Sequence, residues 1–133
     1  MKTRHFITCA LLAASGSAMA QEQAESLKDC DKTQSAMNMC ARHRYDLADQ
    51  ALNRQYTQNM KTLQEAAGKQ RLRDAQGAWL VFRDKDCLVE TGPREESGSI
   101  WPLQHFSCLE RHTVRRTKDL KSQACGMEGC AKQ

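Results

Sequence analysis

Residues 33–68 read TQSAMNMCARHRYDLADQALNRQYTQNMKTLQEAAG, and the placing of their apolar residues decides the fold. Met37, Ala41, Tyr45, Ala48, Leu52, Tyr56, Leu63 and Ala67 recur at three, four or seven positions, which lines one face of an α-helix. Thr33 stands where a hydroxyl can cap the first turn, and Gly68 where the helix can stop. The pattern predicts one long amphipathic helix that must bury its stripe against other elements.

Downstream the same period returns twice. A second helix is expected from Lys69 to Val89, with Leu72, Ala75, Trp79 and Phe82 on its buried side and Gly77 admitting a close neighbour. Thr91 to Ser99 reads TGPREESGS, which holds turn formers and no apolar side chain, so it is the main loop. Pro102 suits the first turn of a third helix, whose stripe is Leu103, Phe106, Leu109, Thr113 and Leu120. The CGMEGC segment from Cys125 to Cys130 then ends the helical pattern. Three such helices can share one seam, so the fold class is all-α, a small disulfide-stapled antiparallel helical bundle.

Composition agrees and narrows the function classes. A chain of 133 residues holds one domain, and 40% hydrophobic with 27% charged residues is ordinary for a globular protein. Aromatics are only 5% and β-branched residues sparse, which argues against sheet. Residues 1–20 have the layout of a cleavable export signal: Lys2, Arg4 and His5, then an apolar run from Phe6 to Ala14, then Ala18-Met19-Ala20. Cys9 lies inside that run, too early for an acylated lipoprotein cysteine. No segment is long enough for a membrane span. Removing Lys2 and Arg4 lowers the formal charge from +4 to +2, which gives no basis for nucleic-acid binding. The expected organisation is a signal over 1–20, a flexible leader over 21–31, a helical domain over 32–122 and a Cys-containing tail over 123–133. The expected location is therefore periplasmic or secreted.

Export changes the meaning of the cysteines. Without Cys9 there remain Cys30, Cys40, Cys87, Cys108, Cys125 and Cys130, an even set that in an oxidising compartment reads as three disulfides. Six cysteines allow fifteen connectivities. Joining near neighbours across short turns favours Cys30 with Cys40, Cys87 with Cys108, and Cys125 with Cys130. Cys40-x-x-His43 and His105-x-x-Cys108 have metal-ligand spacing, but no paired CxxC occurs, and the reading is no metal and no cofactor. No nucleophile elbow, phosphate loop or zinc-hydrolase signature is present, so no catalytic residue is assigned and the chain is read as a non-enzyme.

Several separated motifs together resemble a known family. Cys30, Thr33-Gln34, Met37-Asn38-x-Cys40-Ala41 and Ala48-Asp49-x-x-Leu52-Asn53-x-x-Tyr56 are followed by Ala75-Gln76-x-Ala78-Trp79-x-x-Phe82-Arg83-Asp84-x-x-Cys87. Gly98-Ser99, Cys108 and Thr113-x-x-Arg116-x-x-x-Leu120 complete the series. In this order they resemble the LprI-like lysozyme-inhibitor domain of bacterial envelope proteins over roughly residues 30–120. One departure is that Ser97 replaces the first Gly of that family's usual Gly-Gly-Ser. The resemblance implies an envelope protein whose partner is lysozyme, inhibited by occupation of its cleft.

Three groups of residues follow as candidates. Asp49, Asn53, Gln76, Arg83 and Asp84 flank the apolar stripes and are read as a structural polar network, with Arg83 set against Asp49. Arg94, Ser97, Gly98, Ser99 and Trp101 form the candidate lysozyme-contact loop, because a cleft admits a protruding loop more readily than a helix face. Arg111, Arg115 and Lys118, with His112 and Arg116 beside them, offer an alternative: a basic helix face for an anionic glycan or polymer.

Overall fold

A computed structural model describes Leu27 and residues 29–125, and the side chains of these except Cys125. The expected export signal, most of the expected leader, Cys130 and the rest of the tail lie outside the described residues, as does the expected Cys125–Cys130 pairing. Three helices follow in order: α1 (Gln34–Thr62), α2 (Ala66–Thr91) and α3 (Trp101–Cys125), with a short 3-10 turn at Arg94–Glu96. No strand occurs among the described residues.

Helix α1 begins as its sequence requires: Thr33 is the N-cap, and its Oγ1 accepts from the Ala36 amide at 3.1 Å. It ends earlier than the stripe suggests. The chain leaves helical geometry at Leu63, whose amide still donates to the Asn59 carbonyl, and α2 starts three residues later. Leu63 therefore lies beyond α1, while Ala67 and Gly68 belong to α2. Only a short turn separates the two helices, so the chain reverses direction at once.

The register of α1 on α3 is marked by two side-chain amides. Asn38 Nδ2 donates to the Ser99 carbonyl at 2.9 Å and Asn59 Nδ2 to the Leu120 carbonyl at 2.7 Å, and both bonds join positions 61 apart. A constant offset means that the helices run parallel, here over about 30 Å at 1.5 Å per residue. Between these bonds lie Cys40, Ala41, Ala48 and Leu52 of α1 and Cys108, Leu109, Thr113 and Leu120 of α3, all buried. Tyr45 stacks on Phe106 beside them, with ring centroids 5.9 Å apart. Helix α2 returns antiparallel to α3, as the pairs Gln76–Arg116, Arg83–Thr113 and Cys87–Cys108 show by falling on one helix while rising on the other. The bundle is thus up, down, up.

The core is thin, and covalent staples supplement it. Cys30 joins Cys40, and Cys87 joins Cys108, each with Cα atoms 5.7 Å apart. In a domain with so little buried apolar volume, each disulfide contributes on the order of 2–4 kcal/mol.

The second staple also sets the rotation of α2, and here the structure corrects the expected buried side. Cys87 faces α3, so the residues turned inward with it are Gln76, Arg83 and Thr91, all buried, with Leu72 and Trp79 half-buried. Phe82 lies five residues from Cys87, about 140° around the axis, and Phe82 and Ala75 are both exposed. The inward face of α2 is therefore more polar than a hydrophobic stripe would make it.

Asn59 provides the test of this packing. Replacing it with Ala removes the amide that satisfies the Leu120 carbonyl inside the α1–α3 seam, and should cost about 1–3 kcal/mol. Urea unfolding followed by circular dichroism would measure it; an unchanged midpoint would show that this bond does not hold the seam.

Candidate functional site

The connection from α2 to α3 is ordered by its own hydrogen bonds. Gly92 ends α2 with φ +67°, a left-handed conformation that suits glycine, and a Cβ there would stand 3.2 Å from Ser97 Oγ. Ser97 Oγ lies 2.9 Å from the Thr91 carbonyl and 2.8 Å from the Pro93 carbonyl, so its single proton is held within the loop. Trp101 Nε1 donates to the Gly92 carbonyl at 2.9 Å, closing the loop across its mouth. Gln34 Nε2 donates to Asn38 Oδ1, and Asn38 in turn holds the Ser99 carbonyl, which anchors the loop exit to the start of α1.

On this frame stands a stack of three groups. The Trp101 and His105 rings are 4.2 Å apart and nearly parallel at 14°, and the Arg94 guanidinium lies 5.9 Å from the Trp101 ring centre. Thr91 Oγ1 gives its proton to the Cys87 carbonyl at 2.7 Å, which leaves a lone pair for the Nδ1–H tautomer of His105 at 3.4 Å. Burial pushes the His105 pKa below the ordinary histidine value, nearby Arg83 lowers it further, and Asp84 opposes both. The candidate loop thus separates into two parts. Ser97 is committed internally, whereas Arg94, Gly98 and Ser99 are exposed and Trp101 is half-buried. Gly98 has φ +67° and open space around its Cα, so backbone is presented there.

The polar network lies further down the bundle and is centred on Arg83. Its side chain is only 7% exposed and meets Asp84 at 2.8 Å, Asp49 at 3.8 Å and Thr113 Oγ1 at 3.4 Å. The guanidinium also sits over the Tyr45 and Trp79 rings, 5.6 and 5.2 Å from their centres. Arg116 approaches the Trp79 ring too, at 5.9 Å, and donates to Gln76 Oε1 at 3.0 Å. Asn53 donates to Asp49 at 2.9 Å. Burial raises the Tyr45 pKa above its usual value, partly offset by Arg83. The sequence does not signal the double stacking on Trp79, because it depends on how α2 and α3 face each other.

The outward face of α3 carries the remaining candidates. Arg111 pairs with Glu90, and Glu110 is neutralised by Arg44 at 3.2 Å. Arg115 and Lys118 are exposed and have no acidic partner within 4.0 Å among the described residues. Together with Ser107, Glu110, Arg111 and Val114 they border a shallow groove. Arg116 does not join them, since it turns inward to Trp79. His112 contacts Asp86 at 3.0 Å and meets the Phe82 edge.

A metal reading finds no donor set in the one three-residue cluster of suitable ligands among the described residues. Cys87, Cys108 and His112 bring their ligand atoms within 4.8 Å of one another, but the two sulfurs are bonded to each other and offer no thiolate.

Comparison with known proteins adds the family. The family described as "Lysozyme inhibitor LprI" matches residues 24–120, which include both disulfides and every candidate residue above. An uncharacterized protein of Rhizobium meliloti (strain 1021), R02472, is 33% identical over 107 residues, covering 70% of this chain and 76% of the relative. An uncharacterized protein of Escherichia coli (strain K12), YecT, is 27% identical over 116 residues, covering 72% of each. No solved structure matches.

Two measurements follow from this geometry. Arg83→Ala leaves Asp84, Asp49 and the Tyr45 ring without their cation and should cost about 2–4 kcal/mol, whereas Asp49→Ala, at a longer and half-exposed contact, should cost under about 1 kcal/mol. Equal costs in urea titrations would contradict the central place given to Arg83. The lowered His105 pKa has a definite sign. An unfolded chain takes up this proton before the folded one, so the contribution of His105 is full above the ordinary histidine value near 6.5 and is lost as pH falls below it. His105→Gln should remove that part of the acid-side decline in melting temperature; an identical decline in the variant would exclude His105 as its source.

Proposed function

Because the match over residues 24–120 makes this chain a member of the LprI lysozyme-inhibitor family, we propose that it is an exported, non-enzymatic protein that binds lysozyme and blocks its cleft. The observation that supports this best at the residue level is the braced loop end. A polypeptide that fills a cleft must not lose much conformational freedom on binding, and here the loop is pre-organised by Trp101, Ser97 and Asn38.

The chemistry of the target explains the choice of residues. Glycosidase clefts carry two carboxyl groups that flank the scissile bond, so an inserted cation and hydrogen-bond donors exclude substrate. Arg94 supplies the cation, Gly98 the exposed backbone and Ser99 a hydroxyl. Trp101 supplies an aromatic edge at the rim. Glu95 and Glu96 share the same turn and must point away from the target carboxylates. A formal charge of +2 after export gives no long-range attraction towards basic lysozymes, so affinity rests on this local complementarity. Export itself is inferred from residues 1–20; among the described residues no helix is long and apolar enough to cross a membrane.

A second reading is favoured by one specific observation. Arg115 and Lys118, without acidic partners among the described residues, leave an uncompensated basic strip on α3 that suits an anionic glycan or polymer. The two readings differ in salt response, since binding along a charged strip weakens steeply as ionic strength rises.

The test is inhibition of several lysozyme classes by the purified protein. Arg94→Ala with Ser99→Ala should weaken inhibition at least about tenfold, or about 1.4 kcal/mol, at unchanged melting temperature, and Arg115→Ala with Lys118→Ala should leave it unchanged. Full potency in the loop variant would remove the loop from the mechanism.

A further inference from the structure

Helix α2 turns a guanidinium inward and several large apolar side chains outward, and this marks a surface that the lysozyme reading does not use. Inward it presents Gln76, Arg83 and Thr91; outward it presents Ala78, Val81, Phe82, Lys85, Leu88 and Val89. Val89 is 85% exposed, Val81 and Phe82 56%, and Leu88 46%. These positions follow the period of three and four that a buried helical seam requires. Only Lys85 interrupts them. Scattered exposed apolar residues need no explanation, but an apolar stripe over three turns, broken only by Lys85, does.

We propose that this face pairs with the same face of a second copy, the two α2 helices crossing antiparallel. The stripe is complementary to itself in side-chain size. One end is small, with Gly77 and Ala78, and a Cβ built on Gly77 would meet nothing within 4 Å. The other end is large, with Leu88 and Val89. Antiparallel pairing about a two-fold axis level with Arg83 places Ala78 opposite the partner's Leu88 and Gly77 opposite the partner's Val89, so small meets large at both ends. The same register sets Lys85 opposite the partner's Val81 and one turn from the partner's Asp84, which lies exposed at the edge of the face. A parallel pairing would instead put Lys85 against Lys85.

The area is of the size required. The exposed fractions correspond to roughly 500 Å² of apolar side chain per copy, so pairing buries on the order of 1,000 Å² in total, at the lower bound of specific interfaces. The expected result is a weak dimer, dissociating in the range of about 10–100 µM. The face shares no residue with the Arg94–Trp101 stack, and self-association is measured without lysozyme present.

Sedimentation velocity on the exported chain, from about 1 to about 300 µM, should show a concentration-dependent shift from monomer to dimer. Val81→Lys with Val89→Lys should raise the dissociation constant at least about tenfold while the melting temperature stays unchanged. Val89→Ser serves the same purpose should the double variant fold poorly. Mixed copies carrying Ala78→Cys and Leu88→Cys should form an interchain disulfide, whereas Ala78→Cys alone should not. A monomer at every concentration would overturn the proposal, as would association untouched by these variants or Ala78→Cys cross-linking to itself. So would binding to phosphatidylcholine vesicles without self-association, which would assign the face to lipid instead.

Discussion

The bond between Cys87 and Cys108 is the constraint from which most of this molecule follows. A helix is nearly rigid about its axis, so fixing one residue towards a neighbour fixes the direction of every other residue. With Cys87 turned to α3, Arg83 and Gln76, four and eleven positions earlier, must face α3 as well, and Thr91 follows on the next turn. Two consequences are forced. A guanidinium enters the bundle and needs carboxylates, a hydroxyl and aromatic faces around it, which Asp84, Asp49, Thr113, Tyr45 and Trp79 provide. At the same time Val81, Phe82, Leu88 and Val89 are turned out to solvent.

That constraint also explains what could be read in the sequence and what could not. The first helix was legible because its stripe and its Thr33 cap agree, and packing follows the stripe: Ala41, Ala48 and Leu52 are buried. Its far end was not, because the period of Leu63 and Ala67 continues through a turn; the break there is set by reversal of the chain beside α3, which local pattern does not encode. The second helix held two readings that exclude each other. Cys87 bonded to Cys108 and Phe82 buried against the same helix lie about 140° apart on one helix, so only one could hold, and the covalent bond prevailed over hydrophobic preference.

The candidate loop shows a similar division. Its existence was written in the run from Thr91 to Ser99, and the glycines mark where the backbone turns. The use of Ser97 was hidden, because a hydroxyl that binds its own loop and one that binds a partner look the same in sequence. Its internal bonds to the Thr91 and Pro93 carbonyls make it a brace. The stack of Arg94, Trp101 and His105 depends on the helical spacing from Trp101 to His105 and on the return of the loop over it, and only the first of these is local.

The two proposed surfaces are geometrically compatible, and their combination has a functional meaning. The loop follows directly from the C-terminal end of α2, about 12 Å along the axis from the level of Arg83. In an antiparallel pair centred at that level, the two loops lie at opposite ends and point away from each other, roughly 24 Å apart along the axis. Because the loops sit at opposite ends of the pair and face outward, each remains open to its own target. Pairing through α2 would therefore not compete with a cleft at the loop. It would present two loops on one particle, so that a second lysozyme held at the same envelope site would meet a raised local concentration of inhibitor without any new contact.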